Sequence, residues 1–147
     1  MDGDMTTDAA EKTWGGGRTV LLADDQAEVR SFVEHCLLLW GHVVLTAKDG
    51  REALDLFEQL KGSIDLVILD SHMPGLDGLS CAKEILKQAS QTPILLLTGS
   101  ADRDVCQRAM AAGVRAVVEK PVSVGDLEAI VSRMLDGEDK ANPVRVP

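Results

Sequence analysis

Tyrosine is absent from this chain of 147 residues, and aromatic side chains make up only 3% of it. The interior is therefore expected to be aliphatic. Cysteine is scarce as well. Cys36, Cys81 and Cys106 are odd in number, lack metal-type spacing and fall in apolar or helical contexts, which excludes a disulfide framework and reads as reduced structural thiols. No apolar run approaches the ~20 residues that span a bilayer, and Met1 to Glu11 carry Asp2, Asp4 and Asp8 where a secretory signal would be apolar. A cytoplasmic location is the expectation. Basic charge is also in short supply, with 15 Lys and Arg against 24 Asp and Glu, a formal net charge of −9. Direct binding to nucleic acid or to a membrane surface loses its usual electrostatic drive, while a cation site or a basic partner gains one. Surface carboxylates that keep the protein soluble account for the charge equally well.

What is present is the material of one ordinary globular domain, 45% hydrophobic and 27% charged. Residues 1–18 are polar and end in Gly15-Gly16-Gly17, and residues 137–147 hold Gly137, Pro143 and Pro147, so both ends read as flexible segments around a domain spanning 19–136. Within it, Thr19–Ala23, Val43–Ala47, Leu66–Asp70, Ile94–Thr98 and Ala116–Glu119 are continuous apolar runs, the pattern of parallel strands buried on both faces. Between them, Val29, Phe32, Val33, Cys36, Leu37 and Trp40 recur at helical spacing, as do Ala53, Leu56, Phe57 and Leu60, and Leu127, Ile130, Val131, Met134 and Leu135. Two weaker helices are read at Leu79–Gln88 and Arg103–Ala112, the second stopped by Gly113. Five β-α units with right-handed crossovers imply an α/β sandwich around a parallel sheet, with ligand sites at the carboxyl ends of the strands.

Those ends are where the polar residues gather. Asp24 and Asp25 close the first strand, Asp70 the third and Thr98 the fourth, and Lys120 follows the fifth. If the first and third strands are neighbours, a spacing of about 4.8 Å brings the three carboxylates close enough to share a cation. An all-oxygen ligand set suits Mg²⁺ and disfavours metals that prefer Cys and His. A carboxylate beside such an ion and a Lys ammonium can attack phosphorus, because the cations neutralise charge on the phosphoryl oxygens. Thr98 has a hydroxyl to donate to one of those oxygens.

Asp24-Asp25, Leu66-Val-Ile-Leu-Asp70-Ser-His-Met73-Pro74-Gly75, Asp77-Gly78, Thr98-Gly99 and Lys120-Pro121, in that order and spacing, resemble the receiver domain of two-component response regulators. The resemblance spans Thr19 to Leu135 and implies a flavodoxin-like (βα)5 fold of three layers, with a five-stranded parallel sheet in the order 2-1-3-4-5. By the same resemblance Asp70 is the phosphoacceptor. Asp25, Asp70 and the backbone carbonyl of His72 would bind Mg²⁺, with Asp24 reaching it through water. Thr98 and Lys120 would hold the phosphoryl group, and the Lys120–Pro121 bond is a cis-peptide candidate. The implied donor is a phosphohistidine on a sensor histidine kinase or histidine phosphotransfer protein. The implied output is a protein effector docking on the face made by the fourth helix, fifth strand and fifth helix. Gly15-Gly-Gly17 also resembles the entry to receivers attached behind histidine kinases, so a free-standing regulator and a kinase-linked module both remain open. The chain is expected not to be an enzyme beyond accepting, and slowly hydrolysing, its own phosphoryl group.

Each residue has a plainer explanation when taken singly. Asp25-Gln-Ala-Glu28 reads as a helix capping box, Asp70 as a turn former, Thr98 as a helix cap and Lys120 as a surface lysine. Their joint placement favours the site. One departure from the receiver pattern is Val117, where an aromatic is usual; without that ring, output is expected through backbone shifts, homodimerisation or another surface. His72 stands where the family tunes the lifetime of the aspartyl phosphate. Two alternatives stay open: a receiver-like adaptor that works without phosphorylation, and a haloacid-dehalogenase-like phosphatase, whose Asp-x-Asp motif and cap insertion are missing here.

Overall fold

Residues 17–137 and 144–146 are described in the structure, a computed structural model. Residues 1–16, 138–143 and 147 fall outside that set, and with them most of both expected flexible segments.

Five apolar runs rich in Val, Ile and Leu form the strands β1 (Thr19–Ala23), β2 (Val43–Ala47), β3 (Leu66–Asp70), β4 (Ile94–Thr98) and β5 (Ala116–Glu119). They pair in parallel in the order β2-β1-β3-β4-β5. The first and third strands are therefore neighbours, with Ala23 opposite Leu69. Between them run the helices α1 (Ala27–Leu39), α2 (Gly50–Leu60), α3 (Gly78–Gln88) and α4 (Arg103–Ala112), and α5 (Val124–Asp136) follows the last. Alternation divides the strand side chains between two cores. Val20, Leu22, Leu66, Ile68, Leu95, Leu97 and Val118 pack against α1 and α5. Leu21, Val67, Leu69, Ile94, Leu96 and Val117 pack against α2, α3 and α4. Such burial on both faces is why these strands read as unbroken hydrophobic runs.

Helix ends follow local chemistry. Asp49, Asp77, Asp102 and Ser123 cap α2 to α5 by accepting the N–H three residues on. Gly113 ends α4 at φ 102°. The capping box expected at Asp25 is not made: Gln26 occupies the cap position of α1 without a side-chain bond, and its N–H donates to Asp24 Oδ1 at 2.9 Å. The cysteines are free and buried. Burial pushes the Cys81 thiol up to about 12, and its Sγ donates to the Gly50 carbonyl.

Three features depart from the sequence reading. A single 3₁₀ turn, Lys61–Ser63, links α2 to β3. Phe32 and Leu60, expected on the buried faces of α1 and α2, are 39% and 38% exposed. The tail expected to be flexible over 137–147 adds a sixth strand, β6 (Val144–Val146), parallel to the outer edge of β5. Three residues flanked by prolines carry too little pattern to announce a strand; the unpaired edge of β5 supplies the partner.

Candidate functional site

Parallel pairing brings the carboxyl ends of β1, β3, β4 and β5 to one rim of the sheet. Asp24, at the exit of β1, is fully buried, and Asp70, the last residue of β3, is 3% exposed, while Asp25 faces solvent. Carboxylate oxygens of the three lie within 4.8 Å of one another. The sequence expectation of a shared acidic cluster therefore has its geometry.

Lys120, just past β5, reaches into this cluster. Its Nζ lies 2.9 Å from Asp70 Oδ1 and 3.3 Å from Asp24 Oδ2, and donates to Gln26 Oε1 at 3.1 Å. The Lys120–Pro121 peptide bond is cis. One ammonium thus serves two buried carboxylates, and it does so incompletely: Asp24 Oδ2 has no partner in hydrogen-bonding geometry despite the ion-pair distance. Burial pushes the Asp70 carboxyl above its ordinary range of 3.8; the Lys120 hydrogen bond pulls it back, and the Asp24 charge pushes it further up. Three clustered oxygen donors, one of them buried and short of a partner, fit a hard divalent cation such as Mg²⁺.

Thr98 ends β4 on the other side of the rim, continuing the face of Ile94 and Leu96, and is 2% exposed. Its Oγ1 donates to the Ser100 carbonyl at 3.2 Å and accepts the Ser100 N–H at 3.3 Å. Thr98 does not cap a helix; Asp102 does. His72 is exposed, with Nδ1 3.2 Å from Ser71 Oγ. Both border a cleft of about 200 Å³ that Asp77 and Arg108 also line. Val117, at the usual aromatic position, is fully buried beside Leu96.

The loop after Asp70 is held tightly at its far end. Gly78 begins α3 so close to β3 that a Cβ there would lie 2.2 Å from the Asp70 carbonyl oxygen, and its N–H donates to the Ser71 carbonyl. Gly99, after Thr98, has open space around it.

Sequence reasoning missed Gln26, Arg108 and Glu119. Gln26 meets Lys120 across 94 positions and Arg108 comes from a helix face, so neither had a local signal. Glu119 reads as an ordinary strand end, and only its place beside Lys120 distinguishes it.

Comparison with known proteins agrees with this geometry. Residues 20–132 match the response regulator receiver domain family. A probable transcriptional regulator, ycf27, from Guillardia theta is 41% identical over 122 residues, which are 83% of this chain and 47% of that protein. The transcriptional regulatory protein PdtaR of Mycobacterium tuberculosis is 40% identical over 131 residues, 82% of this chain and 62% of its own length. The chain thus spans less than two thirds of either relative. Among solved structures, a response regulator receiver domain protein from Clostridium thermocellum superposes with a TM-score of 0.78 at 31% identity, over 84% of this chain and 98% of that one. The chemotaxis protein CheY4 of Vibrio cholerae gives 0.75 at 33% identity, over 80% and 98%. Sequence and fold agree over the same span, and the chain belongs to the response regulator receiver domain family of two-component signalling.

Proposed function

We propose that this receiver domain accepts a phosphoryl group on Asp70 from a phosphohistidine of a histidine kinase or histidine phosphotransfer protein. The observation that carries the reading is Lys120 Nζ at 2.9 Å from Asp70 Oδ1 inside a cluster of three carboxylates. A lone turn-forming Asp has no need of a half-buried lysine and two more acids beside it.

Asp25, Asp70 and the His72 backbone carbonyl would hold Mg²⁺, with Asp24 in support. When bound, the ion supplies positive charge to the phosphoryl oxygens. An Asp70 carboxylate oxygen attacks phosphorus, the bond from phosphorus to the donor imidazole breaks, and its electron pair leaves with the histidine nitrogen. Lys120 exchanges its bond to Asp70 for one to a phosphoryl oxygen, and Thr98 donates its hydroxyl to another. The new charge then biases the loop after β4. The output is a protein effector on the face of α4, β5 and α5, or pairing of two copies. The protein works in the cytoplasm and turns over no substrate but its own phosphoryl group. Among the described residues no helix is long and apolar enough to cross a membrane.

The test is the intact mass after incubation with acetyl phosphate and Mg²⁺. One phosphoryl adduct that disappears with Asp70→Ala and with EDTA is expected. A folded, unsubstituted protein that gains no adduct from acetyl phosphate or from a phosphohistidine donor would instead favour an adaptor that works without phosphorylation.

A further inference from the structure

Glu119 takes no part in the carboxylate cluster, yet it is tied to the loop that must yield if Thr98 is to move. Pairing of β4 with β5 sets Thr98 opposite Glu119, and both lie on the face that packs toward α2, α3 and α4. From there the Glu119 carboxylate accepts the Ala101 N–H at 2.9 Å, one residue before the Asp102 cap of α4. An anionic acceptor at the amino end of a helix makes a strong, charge-assisted bond.

The same loop occupies the Thr98 hydroxyl, which donates to the Ser100 carbonyl at 3.2 Å. A hydroxyl has a single proton, so that bond and a bond to a phosphoryl oxygen exclude each other. Open space at Gly99 leaves the loop room to bend. Val117, two residues before Glu119 on the same face, is fully buried and has no rotamer change of comparable reach. Glu119 is thus a side chain of β5 bonded directly to this loop.

Resting on the phosphoacceptor reading above, we propose that Glu119 is a positioning residue: by holding the Ala101 N–H it keeps residues 99–102 where the Thr98 hydroxyl stays on Ser100, and so opposes the turn of that hydroxyl toward a phosphoryl group on Asp70. Breaking the bond releases the loop, and the phosphorylated arrangement gains relative to the resting one.

The probe is beryllium trifluoride with Mg²⁺, a tetrahedral mimic of the phosphoryl group, titrated against the full chain by NMR. Glu119→Ala is expected to bind it about five-fold more tightly than the unsubstituted protein, equivalent to ~1 kcal/mol. Glu119→Gln, which keeps an acceptor oxygen, is expected to stay within about two-fold. In a Thr98→Ala background, where no hydroxyl remains to be released, the gain from Glu119→Ala is expected to vanish. Before any probe is added, amide exchange at Ala101 should be faster in Glu119→Ala and unchanged in Glu119→Gln. Should Glu119→Ala fail to fold, Glu119→Val keeps a good strand residue and serves in its place. Equal or weaker binding by Glu119→Ala, or a gain that persists without Thr98, overturns the positioning role alone. No uptake by the folded, unsubstituted protein overturns the phosphoacceptor reading, and this inference with it.

Discussion

At the amino end of the sheet, polar side chains close off the backbone; at the carboxyl end they face one another. Asp65 accepts the Thr19 N–H at 2.8 Å, Arg18 Nη1 donates to the Leu135 carbonyl at 2.7 Å, and Arg115 Nη2 donates to the Gln91 carbonyl at 2.8 Å. Each of these bonds ties a charged side chain to a main-chain group. Across the molecule, Asp24 and Asp70 are buried side by side and share Lys120. Burying like charges opposes folding, so the carboxyl end carries a charge-burial cost, whereas the amino end carries the smaller one of leaving His42 Nδ1 and Arg115 Nη1 buried without a partner. The contrast marks the carboxyl end as the place where like charges are buried together, the arrangement the proposed site needs.

Lys120→Met should sharpen the contrast most. Without its ammonium the two buried carboxylates lose their cation, and urea denaturation at pH 7 in EDTA should show a loss of about 3 kcal/mol. The deficit should shrink in acid, as the carboxylates take up protons. A loss of only about 0.5 kcal/mol would mean the cluster behaves like an exposed pair, and the two ends would no longer differ.

Arg18→Ala should cost about 1–2 kcal/mol by leaving the Leu135 carbonyl without its donor, and added Mg²⁺ should not change that figure. Asp70→Asn should have the opposite sign and raise stability by about 1 kcal/mol at pH 7 in EDTA. The folded protein holds the Asp70 proton above the ordinary 3.8, mainly through burial, so the folded state binds more protons than the unfolded one between those two values. Stability from this group is full below 3.8 and is lost as pH rises through the folded value; asparagine does not suffer that loss. Mg²⁺ should then raise the melting temperature of the unsubstituted protein and not that of the Asn variant.

The smallest effect belongs to His42, 8% exposed at the amino end. Burial foremost, and Arg18 next, lower its pKa from 6.5, with Asp65 opposing them. The unfolded chain therefore binds the proton first, and stability should fall by less than about 1 kcal/mol as pH drops below 6.5. His42→Gln should flatten that slope in denaturation curves collected between pH 7 and pH 5.5.

Much of this was legible beforehand, for a physical reason. Strands buried on both faces need an apolar residue at nearly every position, so the bounds of β1, β3, β4 and β5 coincide with their hydrophobic runs; the edge strand β2 coincides as well, although its Val43 is exposed. The polar residues at their ends stood out because each interrupts such a run. Periodicity was less informative for α1: it groups Phe32 with Val33 and Cys36, but whether Phe32 is covered depends on what lies across from it, and Phe32 is partly open to solvent. Nothing in residues 144–146 foretells pairing with β5, because a sheet edge elsewhere in the chain decides it. Gln26 and Glu119 were unreadable for the same reason. Their partners, Lys120 and Ala101, are brought to them by strand order and not by sequence distance.

The missing side chain of Gly78 sets the direction in which this domain yields. With α3 seated directly on the Asp70 carbonyl, the start of that helix has no slack against β3, and a Cβ at Gly50 would lie only 2.1 Å from the Leu76 carbonyl oxygen farther along the same loop. Open space surrounds Gly99 on the opposite flank, directly after Thr98, whereas on the β3 side it opens only at Gly75, midway along the loop. If Asp70 takes up a phosphoryl group as proposed, displacement is expected on the α4 and β5 flank before the start of α3.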